Sequence, residues 1–210
     1  MLLIKPVNNI SFSSKIKIIN DQEEMFKIRY GKTDGIDGIK VNGNDFKYSD
    51  EKIHTGGMRT CVAYGVVRPY EICALSHNNK YPKDIEDCFK GVDKNQRKEI
   101  RGFILGGEPY SRQEYFDRGS RSFENIPTTV LWGKQEGDGI SAVCHDVPND
   151  TWYIMPDSKS LVNNADDLRR MFKVIHIAEG DHLFINGNDE EIPASEVNQN
   201  DEKYKARGYR

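Results

Sequence analysis

The sequence predicts an α+β fold, rich in strands, with a sheet or β-sandwich core and a few flanking helices. Three observations carry this. Apolar residues come in short runs; Asn-Gly, Asp-Gly and Gly-Lys turns separate the runs; and one segment spaces its apolar residues at helical intervals while another follows a helix-capping asparagine. A chain of 210 residues can bury a real core as one compact domain with extensions.

Taken in order, residues 2–5, 15–19, 25–30 and 38–42 read as short strands. Residues 61–67 and 71–76 follow, joined by a turn at Arg68, Pro69 and Tyr70. In 83–99, Ile85, Cys88, Phe89 and Val92 form an i, i+3, i+4, i+7 stripe, which predicts a helix, against the presence of Gly91. Residues 100–105 read as a strand ending at Gly106-Gly107, and the aromatic and charged segment 109–125 as a short helix or ordered loop. Strands resume at 128–132, 139–145 and 151–155. Asn164 is placed to cap a helix over 165–172, and a last hairpin spans 173–178 and 182–186. Past Gly187 the chain turns polar. The expected organisation is one domain over 1–187 and a mobile tail over 188–210.

Charge and hydropathy narrow the function. Thirty basic and 33 acidic residues give a net charge of −3, which does not suggest nucleic acid or an anionic membrane as partner. No apolar stretch approaches the ~20 residues of a membrane span. The apolar run after Met1 is shorter than the about 7–15 residues of a secretory signal, so no cleaved signal peptide is expected. Cys61, Cys73, Cys88 and Cys144 lack CxxC spacing and read as reduced thiols of a reducing compartment. No metal or other cofactor is expected. His176, Glu179, Asp181 and His182 read as polar residues around a hairpin turn, without a ligand spacing of known geometry. Gly106-Gly107 and Gly137-Asp138-Gly139 read as turns. Cys144 and His145, adjacent in a strand, point to opposite faces, giving a buried cysteine and an exposed histidine.

The segment HTGGMRTCVAYGVVRPYEICALSH, residues 54–77, is the most informative. A hairpin centred on Pro69 sets Cys61 directly opposite His77, with Cβ atoms about 4.5–5.5 Å apart. Their face carries Ala63, Gly65, Leu75 and Cys73, small enough near the turn to leave room around the pair. The other face, with Val62, Tyr64, Val66, Ile72 and Ala74, reads as core. An imidazole beside a thiol shifts it toward thiolate, the nucleophilic form. Gly56-Gly57 allows a tight turn whose N–H groups, with Thr60, could converge on an oxyanion. Thr55 could hydrogen-bond the imidazole and fix its tautomer. Spacing alone leaves two readings open: a catalytic dyad, or two ordinary residues of a sheet.

Thr55, followed by Cys61-Val62-Ala63 and a second strand ending in His77, resembles the active-site hairpin of the CheD family of chemoreceptor glutamine deamidases. The same arrangement is similar to that of the cytotoxic necrotizing factors and related bacterial toxins, which deamidate glutamine in host proteins, Rho-type GTPases among them. Phe103-Ile104-Leu105-Gly106-Gly107 resembles the Gly-Gly stretch downstream in CheD. The resemblance implies nucleophile Cys61, base His77 and orienting Thr55, on a CheD-like or toxin-like fold. Where the family has Gly-x-Gly-Ser-Cys, this chain has Gly57-Met58-Arg59-Thr60-Cys61. Met58 and Arg59 are expected to reshape the substrate entrance, which directs the reading to the toxin branch. The implied protein is a bacterial effector acting in a reducing host cytosol on a glutamine of a partner protein such as a small GTPase. The bacterial cytoplasm is the alternative location. A transglutaminase or cysteine protease using the same dyad, a chemoreceptor deamidase, and a non-catalytic binding protein are the alternative functions. Tyr110, Arg112 and Tyr115 are the expected recognition residues for a protein substrate, since Tyr and Arg are enriched at interfaces.

Overall fold

The computed structural model describes residues 13–31, 35, 37–58, 61–78, 83–88, 92–93, 96–106, 123, 125–133, 139–157, 161–185 and 190–198. The strands, in chain order, are β1 (Lys15–Ile18), β2 (Ile39–Lys40), β3 (Asp45–Ser49), β4 (Lys52–Gly56), β5 (Val62–Arg68), β6 (Ile72–Asn78), β7 (Arg101–Gly106), β8 (Thr128–Gly133), β9 (Gly139–Asp146), β10 (Thr151–Asp157), β11 (Phe172–His176), β12 (His182–Ile185) and β13 (Glu191–Ile192). They form two mixed sheets. The first runs β13-β12-β1-β10-β9-β4-β2 and the second β11-β8-β7-β5-β6-β3. The predicted strand-rich α+β class is the one observed.

Strand alternation decides what lies between the sheets. Ile16, Ile18, Ile53, Val143, Trp152 and Ile154 come from the first sheet, and Ala63, Val67, Leu75, Phe103, Leu105 and Leu131 from the second; all belong to one buried cluster. Trp152 packs on Phe103 with ring centroids 4.5 Å apart. Its indole tip fills the space over Gly65, where a Cβ would lie 2.7 Å from Cη2. The room anticipated beside the small residues of β5 is therefore taken up by an aromatic from the facing sheet.

Each sheet also has a covered outer face. On the first, Met25 and Ile28 of α1 (Gln22–Arg29) pack with Ile19, Ala142 and Cys144. On the second, Val62, Tyr64, Val66, Ile104 and Val130 meet Ile85 of α2 (Lys83–Cys88) together with Ile100, Phe123 and Ile126. α3 (Ala165–Met171) begins at the expected cap: the Asn164 side chain accepts from the Asp167 amide.

Several expectations are corrected. Residues 25–29 are helix, not strand, and Tyr30 is its C-cap. Asp21 caps α1 by accepting from the Glu24 amide at 2.7 Å; Glu23 and Glu24 sit in the first turn, Lys27 and Arg29 in the last, as the helix dipole favours. The helical stripe of 83–99 yields α2 and a 3-10 turn, Gln96–Glu99, with Val92 and Asp93 in neither. Residues 173–186 do not form a hairpin, because β11 joins the second sheet beside β8 and β12 joins the first beside β1. The link between them is held by Asp181, which is buried and accepts from the Ser14 amide and the Thr129 hydroxyl. Nor does the chain cease to pack at 187. β13 pairs with β12, and Val197 of α4 (Ala194–Val197) is fully buried. Asn198 accepts from the Ile177 amide at 2.7 Å. The packed domain thus reaches 198; residues 1–12, with the strand predicted at 2–5, and residues 199–210 lie outside the described residues.

Candidate functional site

The β5–β6 hairpin turns on Tyr70. Glu71 donates to the Arg68 carbonyl at 3.1 Å, Pro69 follows Arg68, and Tyr70 has φ 62°, as type II turns demand after proline. This moves the hairpin axis one residue past Pro69. The register pairs Ala63 with His77 and Val62 with Asn78. Cys61 is therefore not directly opposite His77. It immediately precedes β5, two residues before Ala63, and a continuation of the strand alternation through it would set it diagonal to His77.

Thr55 reaches the same interior from the first sheet. β4 is paired with β9, Thr55 opposite Val143, so Thr55 faces the second sheet. Its Oγ1 lies 2.6 Å from His77 Nδ1 and donates to the Val41 carbonyl at 2.8 Å. A threonine hydroxyl has one proton, and a carbonyl can only accept. With that proton on Val41 O, Oγ1 must accept from Nδ1–H. This fixes the neutral imidazole as the Nδ1–H tautomer and leaves the lone pair on Nε2. Nε2 is buried and has no hydrogen-bond partner among the described residues. Burial also holds the His77 pKa below its ordinary 6.5, so the ring is neutral at neutral pH. A neutral imidazole with one oriented, unprotonated nitrogen is what proton abstraction from a thiol requires.

The loop carrying Cys61 is tethered at several points. Gly56 is a ladder residue of β4 opposite Ala142, and Gly57 has φ 72°. The Met58 amide donates to Ser141 O at 3.2 Å, and the Cys61 amide to Met58 O at 2.9 Å. Those two amides are committed to the backbone, and Gly56 is part of a strand, so the expected oxyanion donors around Gly56 and Gly57 are reduced. Thr60 and Arg59 lie outside the described residues. Met58 is not a recognition residue: it is fully buried in the central cluster, with its Cε against Gly106. Tyr110, Arg112 and Tyr115 lie outside the described residues.

Gly106 packs against the Cys61 backbone for a structural reason. It has φ 98°, and a Cβ there would lie 2.8 Å from Cys61 O. Only glycine lets the end of β7 close on the backbone of the candidate nucleophile, and the Gly106-Gly107 pair was its sequence signal. Val41 contributes through a backbone carbonyl, which no sequence pattern marks.

The four cysteines are free thiols. Cys73 and Cys144 are buried, and burial pushes the Cys73 thiol well up. Cys88 is half-buried, and burial followed by the charges of Asp84 and Asp87 raises it to about 11. Cys61 is half-buried at the mouth of the hairpin. The second pair is corrected in one respect: His145 is fully buried, not exposed, with Nε2 3.1 Å from Asp150 Oδ1 and its ring stacked on Trp152. Among the described residues no group of three His, Cys, Asp or Glu side chains is placed to hold a metal, and no helix is long and apolar enough to cross a membrane. His182 pairs with Glu191 at 2.8 Å.

Compared with known protein-family models and with curated proteins, the chain matches none.

Proposed function

We propose that the chain is a cysteine-dependent protein glutamine deamidase, with Cys61 as nucleophile, His77 as base and Thr55 as the residue that orients it. The observation that carries this reading is the Val41 O–Thr55 Oγ1–His77 Nδ1 relay, which leaves Nε2 as the basic nitrogen. Cys61 Sγ gives its proton to Nε2 and the thiolate attacks the carboxamide carbon of a glutamine side chain. The imidazolium returns the proton to the departing nitrogen, and ammonia leaves. A thioester remains on Cys61. His77 then takes a proton from water, hydroxide attacks the thioester, and glutamate and the free thiol are released.

The resemblance of Thr55, Cys61 and His77 to the toxin branch supports a bacterial effector acting on a host protein, a Rho-type GTPase being the first candidate. The test exposes host proteins to the wild type and to Cys61→Ala and maps modified peptides by mass spectrometry. The expected result is glutamine converted to glutamate by the wild type alone, with ammonia released. Crosslinks in place of glutamate would make the enzyme a transglutaminase, cleaved chains a protease. No difference between the two proteins would remove the catalytic reading.

A further inference from the structure

We propose that Arg29 is a positioning residue for the nucleophile, acting through Gly56 on the segment that carries Cys61. The inference rests on the deamidase reading only in naming Cys61 as the nucleophile.

Arg29 is the last residue of α1, outside the first sheet, and plays no part in the Thr55–His77 relay. Its Nε donates to His54 Nδ1 at 3.2 Å, and its guanidinium carbon lies 5.3 Å from the centre of the Tyr30 ring. His54 is fully buried, and Tyr30 meets it edge-on with centroids 5.0 Å apart. These contacts aim the fork. A Cβ on Gly56 would lie 2.7 Å from both Nη1 and Nη2 and 2.9 Å from Cζ, so the fork occupies the space of a side chain at position 56. A side chain at position 56 would displace the guanidinium from this place.

From Gly56 the path to the nucleophile is short. Gly57 has positive φ, Met58 is pinned to Ser141 and buried, and the Cys61 amide is bonded to Met58. The loop is held on its inner side by Met58 against Gly106 and on its outer side by Arg29 against Gly56. Removing the outer support lets the end of β4 shift about Gly57, which follows the ladder residue Gly56 and has no side chain to restrict its backbone. A displacement of the order of 1 Å at a reacting group costs roughly 100-fold in rate, so a small shift of Cys61 from His77 is readable.

The test measures the rate of Cys61 alkylation by iodoacetamide against pH, in the full chain. It compares wild type, Arg29→Lys, Gly56→Ala, the double variant and His77→Ala. Arg29 is half-exposed and lysine keeps its stem and charge, so Arg29→Lys leaves the fold standing; a melt verifies this. The expected result is a midpoint moved up toward the ordinary cysteine value of about 8.5 in Arg29→Lys and in Gly56→Ala. The double variant should be no worse than the more affected single one, since both changes remove the same contact. A change that merely loosened the fold would lower the melting temperature without moving the midpoint. An unchanged midpoint in both single variants overturns the proposal. His77→Ala separates the two ideas: if it too leaves the midpoint unchanged, the dyad itself fails; if it moves the midpoint and the Arg29 and Gly56 variants do not, only the positioning role fails.

Discussion

Thr55 and His77 come from different sheets and meet at 2.6 Å, Oγ1 to Nδ1, inside the sandwich. The candidate base is thus oriented only when the two sheets are closed on each other, and the relay is part of the core as well as of the site.

This dual role gives Thr55 a defined mutational signature. Thr55→Val keeps the shape but strands the Val41 carbonyl and the Nδ1–H of His77 without partners. An unsatisfied buried polar group costs about 1–3 kcal/mol, so chemical denaturation should show a loss of that order. Thr55→Ser keeps the hydroxyl and should lose less. Glutamine deamidation should fall in the valine variant and largely survive in the serine variant. Equal activity in both would show that the hydroxyl does not orient the base.

The cysteines should separate cleanly under alkylation. Cys73 and Cys144 are shielded by burial. Cys88 is half-buried like Cys61, but its thiol is pushed up to about 11, leaving little thiolate at neutral pH. Peptide mapping after limited iodoacetamide should find Cys61 modified first, then Cys88, with Cys73 and Cys144 last. Cys88 reacting ahead of Cys61 would mean that no activated thiol exists at position 61.

The strands of the second sheet are legible because their alternation is unbroken: Val62, Tyr64 and Val66 serve one buried layer, Ala63 and Val67 another. β4 is not, because Lys52, His54 and Thr55 are polar and yet buried. Their partners, Arg29 for His54 and Val41 and His77 for Thr55, are remote in sequence or supplied by backbone. α1 is not legible either: Met-Phe-Lys-Ile-Arg-Tyr fits a short strand run, while the capping side chain that decides for a helix precedes it by several positions. The Thr55, Cys61 and His77 set could be named from sequence, but its register could not. A proline turn can be centred on either of two residues, and the positive φ at Tyr70, a residue that rarely adopts it, settles the axis.

The C-terminal segment offers a stability test of the extended domain. Val197 is fully buried against the central cluster, and the Asn198 side chain bonds the Ile177 backbone at its amide and carbonyl. Val197→Ala should cost about 1–3 kcal/mol from lost apolar burial and the space left behind. Asn198→Ala should cost about 1 kcal/mol or more for the exchanged hydrogen bonds. Deleting residues 190–210 should lower the melting temperature by several degrees, about 2–4 °C per kcal/mol for a chain of this size. A truncated chain melting with the wild type would place this segment outside the cooperative unit.

Stability should also fall with acid, through histidine. Burial, and then the Arg29 charge, lower the His54 pKa from 6.5 to about 4. Burial likewise lowers His77, His145 and His176. Below pH 6.5 the unfolded chain therefore binds protons that the folded chain does not, so the stability contributed by these rings is complete above 6.5 and is lost as the pH falls toward 4. Each such proton contributes at most about 1.4 kcal/mol per pH unit. Asp181 acts the other way. Burial raises its carboxyl above 3.8, so the stability it contributes is present below 3.8 and disappears as the pH rises through its folded value. The His54 loss should thus be steepest between pH 6.5 and 4, and the whole fall partly offset by Asp181 near pH 4. Thermal melts followed by circular dichroism from pH 7.5 to 4 should show the fall. His54→Gln, which keeps an acceptor for Arg29 Nε but cannot titrate, should make its slope shallower. A melting temperature flat across that range, or a slope unaltered in His54→Gln, would show that these rings are not held neutral by the fold.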